Sequence, residues 1–388
     1  MPYAASLSTI ADTHRAVRSV CEEVRSRLGG AVPDVSFLFV TQDHARQFEE
    51  LGELTCESTG TRHLIGCTGE TIVGGGEEVE EGSAVSLWSA ILPGAELEPF
   101  HVEFERTPDG LISSGIPSPD DSFSPATAVF LLGDPYSCAP QTVIERLADD
   151  YPGVPLLGGM ASCAREPGEN VLYLDRQRFQ HGGVGIVVRG GPQIHTIVSQ
   201  GCRPIGTHLV ATKAERNILL EIGGRPALER LKEIYADLND RDQELVQRGL
   251  HVGIAMDEYR EKFDRGDFLI ANVIGIDHRV GAIGLANLIR TGQTVQFHVR
   301  DHETADEDLR LMLNRQREQQ AAAPQAALLF SCNGRGTRLF PDPHHDASAI
   351  QSACGPLPLA GLFAQGELGP VGGKNYIHGF TASVALFE

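Results

Sequence analysis

Short apolar runs of strand length recur along the chain, and three times they arrive in the same order. The run VSFLFV (35–40) is followed by a helical stretch, HARQFEELGEL (44–54), and by a second apolar run entering a glycine turn, HLIGCTGETIVGGG (63–76). A third run, AVSLWSAIL (84–92), closes this unit, and ELEPFHVEF (96–104) adds a fourth. The order repeats in ATAVFLLGD (126–134), QTVIERLADDY (141–151), VPLLGGMASCARE (154–166), GVGIVVRG (183–190) and QIHTIVSQG (193–201). It repeats again in AALLFSCNGRG (326–336), a helical segment near 344–353, PLAGLFAQGELGPVGG (358–373) and HGFTASVALF (378–387), where no fourth strand follows. Short apolar runs bounded by turn residues read as buried strands. The pattern therefore predicts an α/β protein of layered sheets with flanking helices, built from three related strand–helix–glycine-turn–strand units. In each unit the turn follows directly on an apolar strand (IGCTGE, LGGMAS, AGLFAQGE), so the turns are expected to converge on shared clefts.

Helical periodicity fills the remaining stretches. Val17, Val20, Cys21, Val24 and Leu28 recur on one face, and Gly29 and Gly30 stop that helix. Leu228, Leu231, Ile234, Tyr235 and Leu238 form the stripe of a second helix, with Pro226 set for its first position. A third is expected from Thr304, whose hydroxyl and Glu307 make a capping-box pattern. DFLIANVIGI (267–276) and TVQFHVRD (294–301) alternate around a GQ turn and read as a hairpin-like pair. The polar NDRDQELVQRG (239–249) marks a boundary, giving an N-terminal helical segment 1–34 and domains 35–240 and 250–388, with REQQAAAPQ (317–325) as a connector.

Composition narrows the class. A chain of 388 residues supports two to three domains and a core that needs no staples. With 41% apolar and 22% charged residues it is an ordinary soluble globular sequence. Its 52 acidic against 32 basic residues give a net charge of −20, which argues against nucleic-acid binding and against adhesion to anionic membranes. The start lacks the basic and apolar regions of a signal peptide, and no apolar stretch approaches a bilayer span. Eight scattered cysteines form no CxxC pair, so the chain is expected to be cytoplasmic with reduced thiols and no metal site of that kind.

Standard catalytic signatures fail letter by letter. A P-loop ending at Lys374 would need glycine at 368 and Ser or Thr at 375, where the chain has Leu368 and Asn375. HETAD (302–306) lacks the second histidine of HExxH, and there is no GxSxG elbow. More telling is SCNGRG (331–336), which leaves a strand with two glycines. Cys332, Asn333, Gly334, Arg335 and Gly336 can aim successive N–H groups and a guanidinium fork at one anion, or simply form a tight turn whose arginine meets a structural carboxylate. GELGPVGGKNYIHGF (366–380) adds Glu367, Lys374 and His378. If the two loops adjoin, Arg335 takes a carboxylate and Glu367 an ammonium, which suits an amino-acid-like ligand; equally, the two residues pair with each other. Glu70 and Ser162 occupy the comparable turns of the first and second units. Arg203, in SQGCRPIG (199–206), is pushed toward an extended conformation by Pro204 and projects from a strand end. Cys332 would serve as a nucleophile only with His344 or His378 beside it; otherwise it is a small core residue. DPHHD (342–346) is a solvated loop or, less simply, a metal cluster.

The stretches SQGCRPIG, VATKAERNILLEIGGRPALERL (210–231), GDFLIANVIGID (266–277), GQTVQFHVRD (292–301), FSCNGRG and GELGPVGGKNYIHGFTASVALF together resemble the FIST family, with an N-terminal domain near 35–230 and a C-terminal one near 250–388. The resemblance implies a sensory module in signal transduction that binds a small ligand, amino acids among the candidates, without a cofactor or a catalytic role. No kinase, receiver or F-box segment accompanies it, so the output is expected to pass through a separate signalling partner. A protein-interaction scaffold and a thiol enzyme using Cys332 are the competing readings.

Overall fold

The computed structural model describes residues 1–388 other than 109, 121, 261, 264, 265, 320 and 321. The chain divides into two compact units, Met1–Val198 with Arg310–Glu388, and Ser199–Leu309. Unit 1 begins with β1 (Tyr3–Ser8) and α1 (Thr13–Arg27). The Asp12 carboxylate caps α1 by accepting the Arg15 amide at 2.9 Å, and the expected stripe packs against Leu38, Val40 and Leu87. The first repeat then runs β2 (Val35–Val40), α2 (Phe48–Thr59), a parallel β3 (His63–Thr68), a hairpin of β4 (Ile72–Gly74) and β5 (Glu77–Val79), and β6 (Val85–Ala90) antiparallel to β2. After β7 (Ala95–Thr107) and β8 (Gly110–Ser114), the second repeat uses β9 (Ala126–Gly133), α3 (Pro140–Asp150), parallel β10 (Leu156–Met160), the hairpin β11 (Leu172–Leu174) and β12 (Gln177–Phe179), and β13 (Gly183–Gly190). β14 (Ile194–Ser199) follows.

Unit 2 holds β15 (Arg203–Glu215), β16 (Ile218–Ile222), β17 (Arg225–Pro226), α4 (Ala227–Ala236), α5 (Asp240–Arg248), β18 (His251–Ala255), β19 (Phe268–Asp277), β20 (Ala282–Leu285) and β21 (Thr294–Val299). Antiparallel pairing runs β15-β21-β18-β19-β20-β16 and returns to β15, so the sheet closes into a six-stranded barrel around Ile205, Ala211, Val252, Ile283 and Phe297. Three expectations are corrected here. The strands at 267–276 and 294–301 do not pair with each other, because the short, fully buried β18 lies between them. The polar stretch at 239–249 is helix α5, capped by Asn239. Pro226 is the cap of α4 rather than its first residue. The following helix, α6 (His302–Gln319), starts ahead of Thr304, whose amide is taken by Asp301 at 2.8 Å. The connector read at 317–325 lies partly outside the described residues.

The third repeat returns to unit 1 as β22 (Ala326–Cys332), α7 (His345–Cys354), parallel β23 (Leu359–Ala364), the hairpin β24 (Glu367–Val371) and β25 (Lys374–His378), and β26 (Ala382–Phe387). Each repeat lends its hairpin to another. The hairpin of the first joins β23 of the third, that of the second joins β3 of the first, and that of the third joins β10 of the second. Trailing strands move the same way: β7 pairs with β13, and β14 with β26. β1 lies against β6, in the place that the absent fourth strand of the third repeat would take. Unit 1 is thus three sheets related by a cyclic exchange. Their inner faces share one core, where Phe37 meets Phe130 at 5.3 Å between ring centroids, Phe39 meets Phe330 at 6.3 Å and Trp88 meets Phe387 at 4.9 Å.

One register position repeats in all three sheets. Leu38 stands opposite Gly66, Leu131 opposite Gly158 and Leu329 opposite Gly361. A Cβ on these glycines would fall 2.4, 2.0 and 1.8 Å from the facing leucine carbonyl oxygen, so only glycine fits.

Candidate functional site

The turns that follow β3, β10 and β23 interlock. The Ser162 amide donates to the Thr68 carbonyl at 3.2 Å, the Gln365 amide to Met160 at 3.0 Å, and the Phe363 amide to Thr71 at 2.9 Å. The Ser162 hydroxyl ties all three together: it accepts the Glu70 amide at 2.9 Å and donates to the Phe363 carbonyl. At this end β22 runs into Cys332–Asn333–Gly334–Arg335–Gly336. Its amides are anchored by Cys332 to the Thr381 carbonyl at 2.9 Å and by Asn333 to Ala364 at 3.1 Å. A Cβ on Gly334 would lie 2.6 Å from the Phe380 ring, and Gly336 has a φ of +57°, so both glycines are required by the turn.

Arg335 is fully buried, and its guanidinium fork is engaged by Asp346: Nε lies 2.7 Å from Oδ2 and Nη2 2.7 Å from Oδ1. The cation also lies 5.2 Å from the centroid of Phe340, on whose face His345 stacks. Ser331 donates to Asp346 at 2.6 Å. Burial acts to raise the Asp346 pKa, but the charge and hydrogen bonds of Arg335, with His345, outweigh it and hold the carboxylate low. Glu78, from β5, accepts the Ala347 amide at 2.9 Å, and burial together with repulsion from Asp346 pushes its pKa up to about 8. The two histidines of DPHHD belong to this assembly and are not a solvated pair: His344 accepts the Glu78 amide at 2.9 Å and His345 Nδ1 lies 2.9 Å from Asp346.

Glu367, at the start of β24, is the neighbouring buried carboxyl. Its Oε2 accepts the Thr381 amide at 3.0 Å and hydroxyl at 2.9 Å, and the carboxyl also meets the Cys332 thiol. Burial pushes its pKa up to about 7, opposed by the Thr381 donors, the Cys332 thiol and the charge of Arg335. The amide oxygen of Asn333 is buried and without a partner among the described residues. His378 faces Glu367 across the hairpin but donates its Nε2–H to the Gly369 carbonyl at 3.0 Å, and burial lowers its pKa to about 4. The group that meets the Cys332 thiol is therefore a carboxyl. Glu70 pairs with Arg338, which also donates to the Asn333 carbonyl at 2.9 Å. Lys374 is exposed at the start of β25. Arg203 lies in unit 2, where it pairs with Asp242 and reaches Asp301 at 3.9 Å. The sequence points to Asp346 only as the end of DPHHD, read there as a solvated loop or a metal cluster, and not to Thr381 or Arg338; a motif scan has no signal for which side chain meets which across the fold.

The raised pKa of Glu367 has a measurable consequence. Its proton is held up to about pH 7 in the folded chain, against an ordinary value of 4.5. The folded state thus binds the extra proton between these values, and the contribution is full at lower pH and lost as pH rises through 7. We expect Glu367→Gln to be the more stable protein at pH 8, by up to about 3 kcal/mol, and to lose that advantage by pH 5. Urea unfolding followed by the fluorescence of Trp88, the single tryptophan, reads this directly; parallel pH profiles would contradict it.

Comparison with known proteins settles the family. The FIST N domain matches residues 34–225 and the FIST C domain residues 227–370. The chain belongs to the FIST family. An uncharacterized protein of Mycobacterium tuberculosis strain H37Rv is 42% identical to this FIST protein over 381 residues, covering 98% of each chain. A second, from Mycobacterium bovis, is 37% identical over 379 residues, covering 98% of this chain and 97% of its own. FIST domains are sensory domains of signal transduction. The barrel of unit 2 takes residues from both FIST domains, and so does the three-sheet core of unit 1. Among the described residues, no helix is long and apolar enough to cross a membrane.

Proposed function

We propose that this FIST protein is a non-enzymatic sensor whose ligand presents an ammonium or amine to Glu367. The observation that carries the reading is Glu367, a fully buried carboxyl that meets the Thr381 donors and the Cys332 thiol and is paired with no cation among the described residues. A buried carboxyl without a cation is hard to ionise, and a ligand ammonium placed beside it relieves that cost. An amino-acid-like ligand would direct its carboxylate to Arg338, the cation that reaches Asn333 and is otherwise shared with Glu70. Arg335 acts from behind, holding the turn through Asp346. A cytoplasmic setting is supported by eight unbridged cysteines, and the signal passes to a separate partner protein.

A thermal-shift panel of amino acids and simple amines against the full chain tests the reading. A ligand at a hundred times its dissociation constant adds about 2.7 kcal/mol of stability. Glu367→Gln should abolish the response, and Arg338→Met should weaken amino acids more than the matching amines. A panel without hits, or hits untouched by Glu367→Gln, would sink it.

A further inference from the structure

We propose that His101, Glu103 and His181 form a binding site for a divalent transition metal of the zinc type, on the sheet of the second repeat. His101 and Glu103 are two residues apart on β7 and so share a face, while Phe100 and Val102 between and before them are buried on the other. His181 arrives from the segment ahead of β13. Gly182 lets it do so: its φ is +70°, and a Cβ there would lie 2.1 Å from the Val102 carbonyl oxygen. The chain is therefore built to cross β7 closely at this point.

The donor atoms are arranged as ligands. His181 Nε2 lies 3.0 Å from Glu103 Oε1, His101 Nδ1 lies 4.0 Å from the same oxygen, and all three residues offer atoms within 4.8 Å of one another. A tetrahedral ion with bonds of about 2.0–2.2 Å holds its ligand atoms roughly 3.4 Å apart, inside that span. His101 Nε2 is 3.0 Å from the His181 backbone carbonyl, which only accepts, so this nitrogen carries the hydrogen and Nδ1 presents its lone pair. Its ring is fixed by stacking on Phe179, 3.9 Å between centroids and 22° from parallel. A ligating imidazole held by a backbone carbonyl through its other nitrogen is the usual outer-shell arrangement of zinc histidines. An ordinary surface pair between His181 and Glu103 has no need of that third, locked ring. Glu103 and His181 are each 58% exposed, leaving room for an ion to enter and for water or a ligand to complete its shell.

Zinc titration of the chelator-treated, tag-free full chain by calorimetry decides the matter. The expected result is one zinc per chain, with affinity falling at least tenfold in His181→Gln and in Glu103→Gln, both exposed substitutions that leave the core intact. His101→Ala should abolish binding. Absence of stoichiometric zinc binding, or binding that persists unchanged in the two exposed variants and so belongs to cysteines, overturns the assignment.

Discussion

Arg335→Met is expected to destabilise unit 1 by about 3–5 kcal/mol, the usual consequence of removing one partner from a buried, hydrogen-bonded ion pair. Methionine matches the stem of arginine but leaves Asp346 as a buried charge facing Glu78, whose carboxyl is already hard to ionise. Asp346 contributes stability above its ordinary pKa and loses it as pH falls, so the deficit of the variant should shrink toward pH 4, where its carboxyl takes a proton. Removing both charges, as Arg335→Met with Asp346→Leu, should recover much of the loss, because an apolar pair of similar volume carries no desolvation penalty. Trp88 reports on this unit alone in a urea titration. A single variant of normal stability that no longer responds to ligand would show that Arg335 binds the ligand itself.

The second large effect is expected at Gly361. An alanine methyl would lie 1.8 Å from the Leu329 carbonyl oxygen, in a strand that is buried along its whole length. Backbone has no rotamer to yield, so two parallel strands must separate at the centre of the sheet. We expect Gly361→Ala to be destabilised by about 3 kcal/mol or more and to express largely insoluble. Gly66→Ala and Gly158→Ala should behave alike, since they fill the same register position. Gly76, in open space and without a left-handed backbone, supplies the control, and its alanine variant should stay within about 0.5 kcal/mol of the parent. Equal stability of Gly361→Ala and Gly76→Ala would refute the assignment.

Much of unit 1 could be read from apolar periodicity alone. The strands of the three repeats, helices α1, α3 and α7 and the glycine turns carry strong local signals, and the glycines that follow β22 are necessary for their turn. What periodicity does not carry is the partner of each strand. The hairpins β4–β5 and β11–β12 have strands of three residues, too short for any period to register, and their pairing is with distant repeats. β1, YAASLS, has four small residues among its six and is buried by α1 and β6 more than by its own hydrophobicity. The barrel of unit 2 is hard to read from the sequence because β18 has five residues and follows a polar helix. Side-chain partnerships are no easier to read: Glu367 and Arg335 stand out beside glycines, but Asp346 lies in the first turn of α7 behind a Pro- and His-rich stretch, and His181 lies 78 residues from Glu103.

The exchange of hairpins also sets a timetable for synthesis. Val73 of β4 pairs with Gly361 of β23, and β14 waits for β26. At about 5–20 residues per second, a ribosome needs roughly 15–60 s to supply the missing partner of β4. During that interval the nascent first and second repeats present unpaired strand edges and the apolar face meant for the third. Such edges are where chains aggregate, so newly made protein should depend on chaperones until its last eighty or so residues emerge.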